Sequence, residues 1–167
     1  MRRPLVSSIV FAAFAAATAS SASAAQQYFV GKGEAYGMKV SFRVVNGEVK
    51  HGLVVSKLPN KAEVGPDSIT TFSAFRATSI DSKQRFKCRV MREGRDLTHP
   101  DYRFRFLGNL AGDRATGWTS TKTSNRILKV DSGPVPWTAE PVSKREYEDA
   151  AAFGDALAES QKRPGCG

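Results

Sequence analysis

The sequence predicts a mainly β protein: one antiparallel β-sandwich or up-and-down β-barrel of about eight strands, with one C-terminal amphipathic helix. Three observations carry that expectation. The stretch Met38 to Val55 alternates apolar and polar residues about an Asn-Gly turn. Further β-rich runs follow at intervals of roughly 8–12 residues, separated by turn formers. Only near the C-terminus does the apolar spacing change from two to that of a helix.

In the hairpin, Met38, Val40, Phe42 and Val44 alternate with Lys39, Ser41 and Arg43. Asn46-Gly47 then supplies the two positive φ angles of a type I′ turn. Pairing outward from that turn sets Val44 against Val49, Phe42 against His51, Val40 against Leu53 and Met38 against Val55. One face is then apolar apart from His51, and the other carries Lys39, Ser41, Arg43 and Lys50. A slip of one residue would mix the two faces, so the pattern itself favours this register.

The chain begins with Arg2 and Arg3, an alanine-rich apolar run from Leu5 to Ala17, and Ala22-Ser23-Ala24. These are the three parts of a secretory signal peptide, residues 1–24, with cleavage expected after Ala24. The run is shorter than the ~20 residues that a spanning helix needs. Export to the periplasm or the extracellular space is expected. Cleavage would lower the formal charge of +9 by only two, leaving a basic protein. The rest is long enough for one domain with a real core. It divides into an antiparallel β-domain with a Pro-rich exit (25–142), a helix packed on it (143–162) and a short tail (163–167).

The other strands are expected in order. Gln27 to Lys32 is a short run before the hairpin. Ile69 to Thr78 is rich in Thr and Phe, but Phe72 and Phe75 fall on opposite faces, so its phase is open. Arg85 to Arg92 sets Phe86, Cys88 and Val90 against Arg85, Lys87 and Arg89. Tyr102 to Leu107 sets Tyr102, Phe104 and Phe106 against Arg103 and Arg105. Arg114 to Lys122 is Thr-rich with Trp118, and Arg126 to Asp131 holds Ile127, Leu128 and Val130. Pro134, Pro136 and Pro141 break the strand pattern, so Gly133 to Pro141 is expected to run extended with Trp137 as its anchor. Ser143 and Glu146 form a capping box. The helix they open, Lys144 to about Gln161, carries Tyr147, Ala150, Ala151, Phe153 and Leu157 on one stripe. Pro164 and Gly165 end it.

Few residues suggest chemistry. Cys88 and Cys166 are a candidate disulfide in an oxidising compartment; the alternative is a buried, inert Cys88 and a free tail thiol. His51 and His99 are the two histidines. They are too few for a metal centre, which needs three or four ligands. The sequence contains no nucleophile elbow, phosphate loop or zinc-protease motif. No catalytic residue, metal or cofactor is assigned, and no motif is specific to one family.

The basic residues carry the clearest pattern. Lys39, Arg43 and Lys50 line the outer face of the hairpin, and Arg85, Lys87, Arg89, Arg103 and Arg105 that of two later strands. Like charges on facing strands cost stability unless solvent, acids or an anionic partner screen them. The expected function is therefore non-enzymatic binding. The outer face would take an anionic partner such as a lipid headgroup or polysaccharide, or an aromatic-lined interior would take a small apolar ligand. Nucleic acid is disfavoured, because Phe42, Phe86, Tyr102, Phe104 and Phe106 point away from the basic face. The alternative is a small hydrolase with a loop-end site built from His99, Asp101 and a further acid.

Overall fold

The computed structural model describes residues 26–95, 100–160 and 166, with helix side chains described as far as residue 152. The proposed signal segment and His99 lie outside the described residues. Nine strands run in chain order: β1 (Gln27–Gly33), β2 (Lys39–Val45), β3 (Glu48–Pro59), β4 (Ser68–Ser79), β5 (Arg85–Arg92), β6 (Asp101–Ala111), β7 (Arg114–Ser124), β8 (Lys129–Asp131) and β9 (Val135–Val142). The helix α1 (Lys144–Ser160) follows.

The strands form one antiparallel sheet in the order β4-β3-β2-β1-β9-β7-β6-β5, with β8 attached to β7. Its two ends meet. Ile80 bridges Phe86, and the Thr78 hydroxyl donates to the Lys87 carbonyl. The eight strands of the main path thus make a nearly closed β-barrel, with a seam where β4 and β5 diverge beyond their hairpin. Cys88 lies on the inner face of β5 at this seam. It is disulfide-bonded to Cys166, which packs against the core. Cys166 thus meets the core beside the seam between β4 and β5.

The Asn46-Gly47 turn forms as expected, with φ of 52° and 72°. The register beyond it differs from the expected one. Val44 faces Val49 and Arg43 faces Lys50, but then the pairing shifts, so that Ser41 faces Leu53 and Val40 faces Val54. A β-bulge at His51 and Gly52 absorbs the extra residue; His51 takes φ of 52°. The Phe75 ring packs against it. It lies where a side chain at Gly52 would be, with ring atoms within 2.7 Å of an ideal Cβ position. The shift turns Leu53 outward, opposite Ser41, and both are buried. The helix α1 lies outside the barrel over β1, β2 and β4. Tyr147 and Ala151 are buried against it, and Tyr147 packs on Tyr28 with ring centroids 5.1 Å apart.

The Pro-rich exit is also a correction. It is the paired strand β9, held between β1 and β7. Its prolines are tolerated because of where their missing donors fall. The Pro136 carbonyl accepts the Glu34 amide on the β1 side, beyond the last residue of β1. By alternation the Pro141 nitrogen faces β7, past the last β7–β9 pair, Ala115 with Ala139. Pro141 therefore removes no ladder hydrogen bond, and Pro136 leaves out only one, at the very end of the β1–β9 ladder. Trp137 points inward and is the anchor expected of it.

The helix opens as the capping box predicts. The Ser143 amide donates to Glu146 Oε2 at 2.9 Å, and the Glu146 amide donates to Ser143 Oγ at 3.3 Å. The Ser143 hydroxyl, which donates to the same Glu146 oxygen at 2.7 Å, and then the Ser143 amide hold the Glu146 carboxyl below the usual carboxylate range.

The interior is a buried aromatic cluster. Phe106 stacks on Trp137 at 4.9 Å, Phe29 on Phe42 at 5.0 Å, and Phe75 lies 5.2 Å from Phe106. Phe75 also settles the open phase of its strand, because it points inward. Toward one end the lining becomes hydroxyl-rich. Thr119 donates to the Arg105 carbonyl at 2.8 Å, and the Ser73 and Thr121 hydroxyls lie 3.2 Å apart. Burial in this region raises the Tyr102 phenol to about 12.

Candidate functional site

Among the described residues, basic side chains gather on the outer surface of β5, β6 and β7. Strand alternation puts Phe86, Cys88, Val90, Phe104 and Phe106 inside, so the residues between them must face out. The register then sets those outer residues in four rows. Arg85 faces Asn109, which faces Thr116. Lys87 faces Leu107, which faces Trp118. Arg89 faces Arg105, which faces Ser120. Met91 faces Arg103, which faces Lys122. β9 extends the second row, where Trp118 meets Pro136.

Between the first two rows lies a groove of about 650 Å³, lined by Arg85, Lys87, Leu107, Asn109, Thr116 and Trp118, with Asp81, the partner of Arg85, at its edge. Two glycines shape its floor. Gly108 and Gly117 face each other across β6 and β7. An ideal Cβ would sit 2.8 Å from the Trp137 ring at Gly108 and 2.7 Å from it at Gly117. The interior ring therefore presses against bare backbone, and the two strands lie over it without side chains between them. Asn109 fixes the rim. With its amide oriented to satisfy both groups, the nitrogen donates to the carbonyls of Lys83 at 3.1 Å and Gln84 at 3.0 Å.

Charge is compensated at the edges of this face and not at its centre. Arg85 pairs with Asp81 at 3.0 Å, and Lys122 with Asp131 at 3.2 Å. The Asp81 carboxyl is held low, first by the Arg85 backbone amide and then by the Arg85 side chain. The Gly133 amide, ahead of Lys122, does the same for Asp131. Among the described residues, Lys87, Arg89, Arg103 and Arg105 have no acidic partner. Arg89 and Arg105 lie directly opposite, an arrangement that costs stability in the free protein.

The eight basic residues singled out in the sequence thus fall into two groups rather than one stripe. Arg85, Lys87, Arg89, Arg103 and Arg105 share the face just described. Lys39, Arg43 and Lys50 lie on β2 and β3, separated from it by β4. Lys50 pairs with Glu48 at 2.9 Å, and Arg43 is half-buried, with a buried Nε that has no hydrogen-bond partner among the described residues. Trp118, Leu107 and Asn109 were not among the expected site residues. A signal for Trp118 was present: it shares parity with Arg114 and Lys122, whereas Thr119, Thr121 and Thr123 have the opposite parity and line the interior.

A second feature is internal. Trp137 is 1% exposed, and its buried indole Nε1 has no hydrogen-bond partner among the described residues. Of the expected hydrolase residues, Asp101 begins β6 and accepts the Gly94 amide at 2.7 Å, the bonding of a turn former. Among the described residues no three His, Cys, Asp or Glu side chains gather as metal ligands would. No described helix is long and apolar enough to cross a membrane.

No protein-family model, curated protein or solved structure matches this chain.

Proposed function

We propose that the protein is an exported, non-enzymatic binding module that holds an anionic polymer on the outer face of β5, β6 and β7. One observation carries the reading: among the described residues, Lys87, Arg89, Arg103 and Arg105 share this face without an acidic partner, and Lys87 lines its open groove. Facing arginines at Arg89 and Arg105 destabilise the free barrel, and a bound polyanion would remove that cost. The signal segment at residues 1–24 supports an exported setting. The Cys88–Cys166 bond fits it, because disulfides persist in oxidising compartments.

The test is binding of the mature protein to a soluble polyanion across a salt series. Binding should weaken steeply with salt and be lost when Lys87, Arg89, Arg103 and Arg105 are all changed to Gln. Salt-independent binding, or a quadruple variant that binds normally, would rule this reading out. N-terminal sequencing of the exported protein should begin at Ala25.

A second reading rests on the Trp137 indole, which has no hydrogen-bond partner among the described residues. A small, mostly apolar ligand with one acceptor atom would satisfy that donor within the aromatic cluster. Native mass spectrometry of gently purified protein separates the two. A stoichiometric adduct of defined small mass supports an interior ligand, and the bare mass supports the outer face alone.

A further inference from the structure

We infer that the polymer is an acidic polysaccharide, and that Trp118 is the surface on which one of its sugar rings stacks. This rests on the outer-face reading above and names the class of partner. Trp118 is half-buried on the outer face, and no described aromatic ring stacks on it. Its row places Leu107 on one side and Pro136 on the other. Neighbouring strands lie ~4.8 Å apart, so the three residues make an apolar strip on the order of 10 Å long. That is the size of a pyranose ring and its linkages.

The surroundings of the strip match the rest of a sugar acid. On one side lie Asn109 and Thr116, and on the other Ser120, with donors and acceptors suited to hydroxyl groups. Lys87 continues the strip's own row, and Arg89 and Arg105 occupy the next. Carboxylates are the natural partners of those cations, and guanidinium groups can bind them in bidentate fashion. A pyranose has an apolar C–H face and a hydroxyl-bearing rim; a uronic acid adds the carboxylate. All three parts have a counterpart here.

The other polyanions fit less well. A single-stranded nucleic acid wants an aromatic platform for each of several successive bases, and this face offers one indole. A lipid surface presents its phosphates in a plane, which would meet the outer arginines and miss the groove floor.

The experiment uses the mature, disulfide-bonded protein and three probes: polygalacturonate, neutral galactan and oligo(dT). Wild type should bind polygalacturonate and not galactan. Trp118→Ala should weaken polygalacturonate binding about tenfold, the scale of one lost stacking contact. That loss should persist at high salt, and Trp118→Phe should recover most of it. The wild-type fluorescence change on binding should vanish in Trp118→Phe while Trp137 remains. Far-UV circular dichroism, with Trp118→Phe as the milder variant, separates lost binding from lost folding. Equal binding of polygalacturonate and oligo(dT), unaffected by either variant, would overturn this inference and leave the basic face standing. A Trp118 dependence seen for oligo(dT) and not for polygalacturonate would replace the sugar with a nucleic acid. Failure of every polyanion to bind would overturn both readings.

Discussion

Replacing Cys166 with Ser removes the tie between the tail and β5, and its cost follows from the topology. The bond joins residues 78 apart in sequence. Closing a loop of that length in the unfolded chain is worth about 4.5 kcal/mol by chain entropy, with measured values for native bridges running from about 2 to 5. A domain of this size has roughly 5–15 kcal/mol in total, so the loss should be a large share. With a urea m-value of about 2 kcal/mol/M, the midpoint should fall by about 1–2 M. The assay is urea unfolding of wild type, Cys166→Ser, Cys88→Ser and the double variant, all without reductant. Both single variants lose the same bridge. The double variant should therefore be little worse than either, and a sum of the two losses would mean that local packing dominates. Hydrogen exchange should rise first along β4 and β5, where the seam loses its clasp. An unchanged midpoint in Cys166→Ser would refute the reasoning.

Three further outcomes follow. Gly52→Ala must displace the Phe75 ring, so thermal unfolding should show a loss of about 1–3 kcal/mol; a variant as stable as wild type would contradict the packing account of the bulge. Tyr102 has a folded pKa raised to about 12 from 10.0, so its contribution is complete below pH 10 and is lost as pH rises toward 12. Stability measured over that window should therefore fall more steeply in wild type than in Tyr102→Phe, by on the order of 2 kcal/mol across it; parallel curves would place the phenol in water. Arg105→Gln relieves its facing Arg89, so it should stabilise the barrel by up to about 1 kcal/mol at low ionic strength and by almost nothing in 1 M salt. Equal effects at both salt concentrations would show that the gain is not electrostatic.

The clean alternations were legible because each has one inward and one outward residue type. Phe86, Cys88 and Val90 against Arg85, Lys87 and Arg89 admit a single phase, and so do Phe104 and Phe106 against Arg103 and Arg105. The Asn46-Gly47 turn was legible because its chemistry is local. The hairpin register beyond it was not. The bulge at His51 and Gly52 packs against the Phe75 ring, more than twenty residues away, and its His51 carbonyl accepts the Tyr147 hydroxyl of the helix. The prolines of β9 misled for a similar reason. Whether a missing donor matters depends on where the neighbouring strands end, which no local pattern records. The cationic half of the candidate site could be read from the sequence, but its grouping could not, because strand order decides which basic rows adjoin. Trp118 was readable by parity with Arg114 and Lys122, but the Thr-rich run around it gives no apolar face against which to set that parity.

The central claim is that the unpaired cations of β5 and β6 form the binding surface. The most direct measurement is the slope of log Kd against log salt for polygalacturonate, compared between wild type, Arg89→Gln/Arg103→Gln/Arg105→Gln and Lys39→Gln/Lys50→Gln. Each cation that contacts the polymer releases counterions on binding. The triple variant should therefore bind more weakly and with a slope shallower by roughly two to three, while the variant on β2 and β3 keeps the wild-type slope. An unchanged slope in the triple variant, with the loss appearing in Lys39→Gln/Lys50→Gln instead, would place the surface on the other side of the barrel.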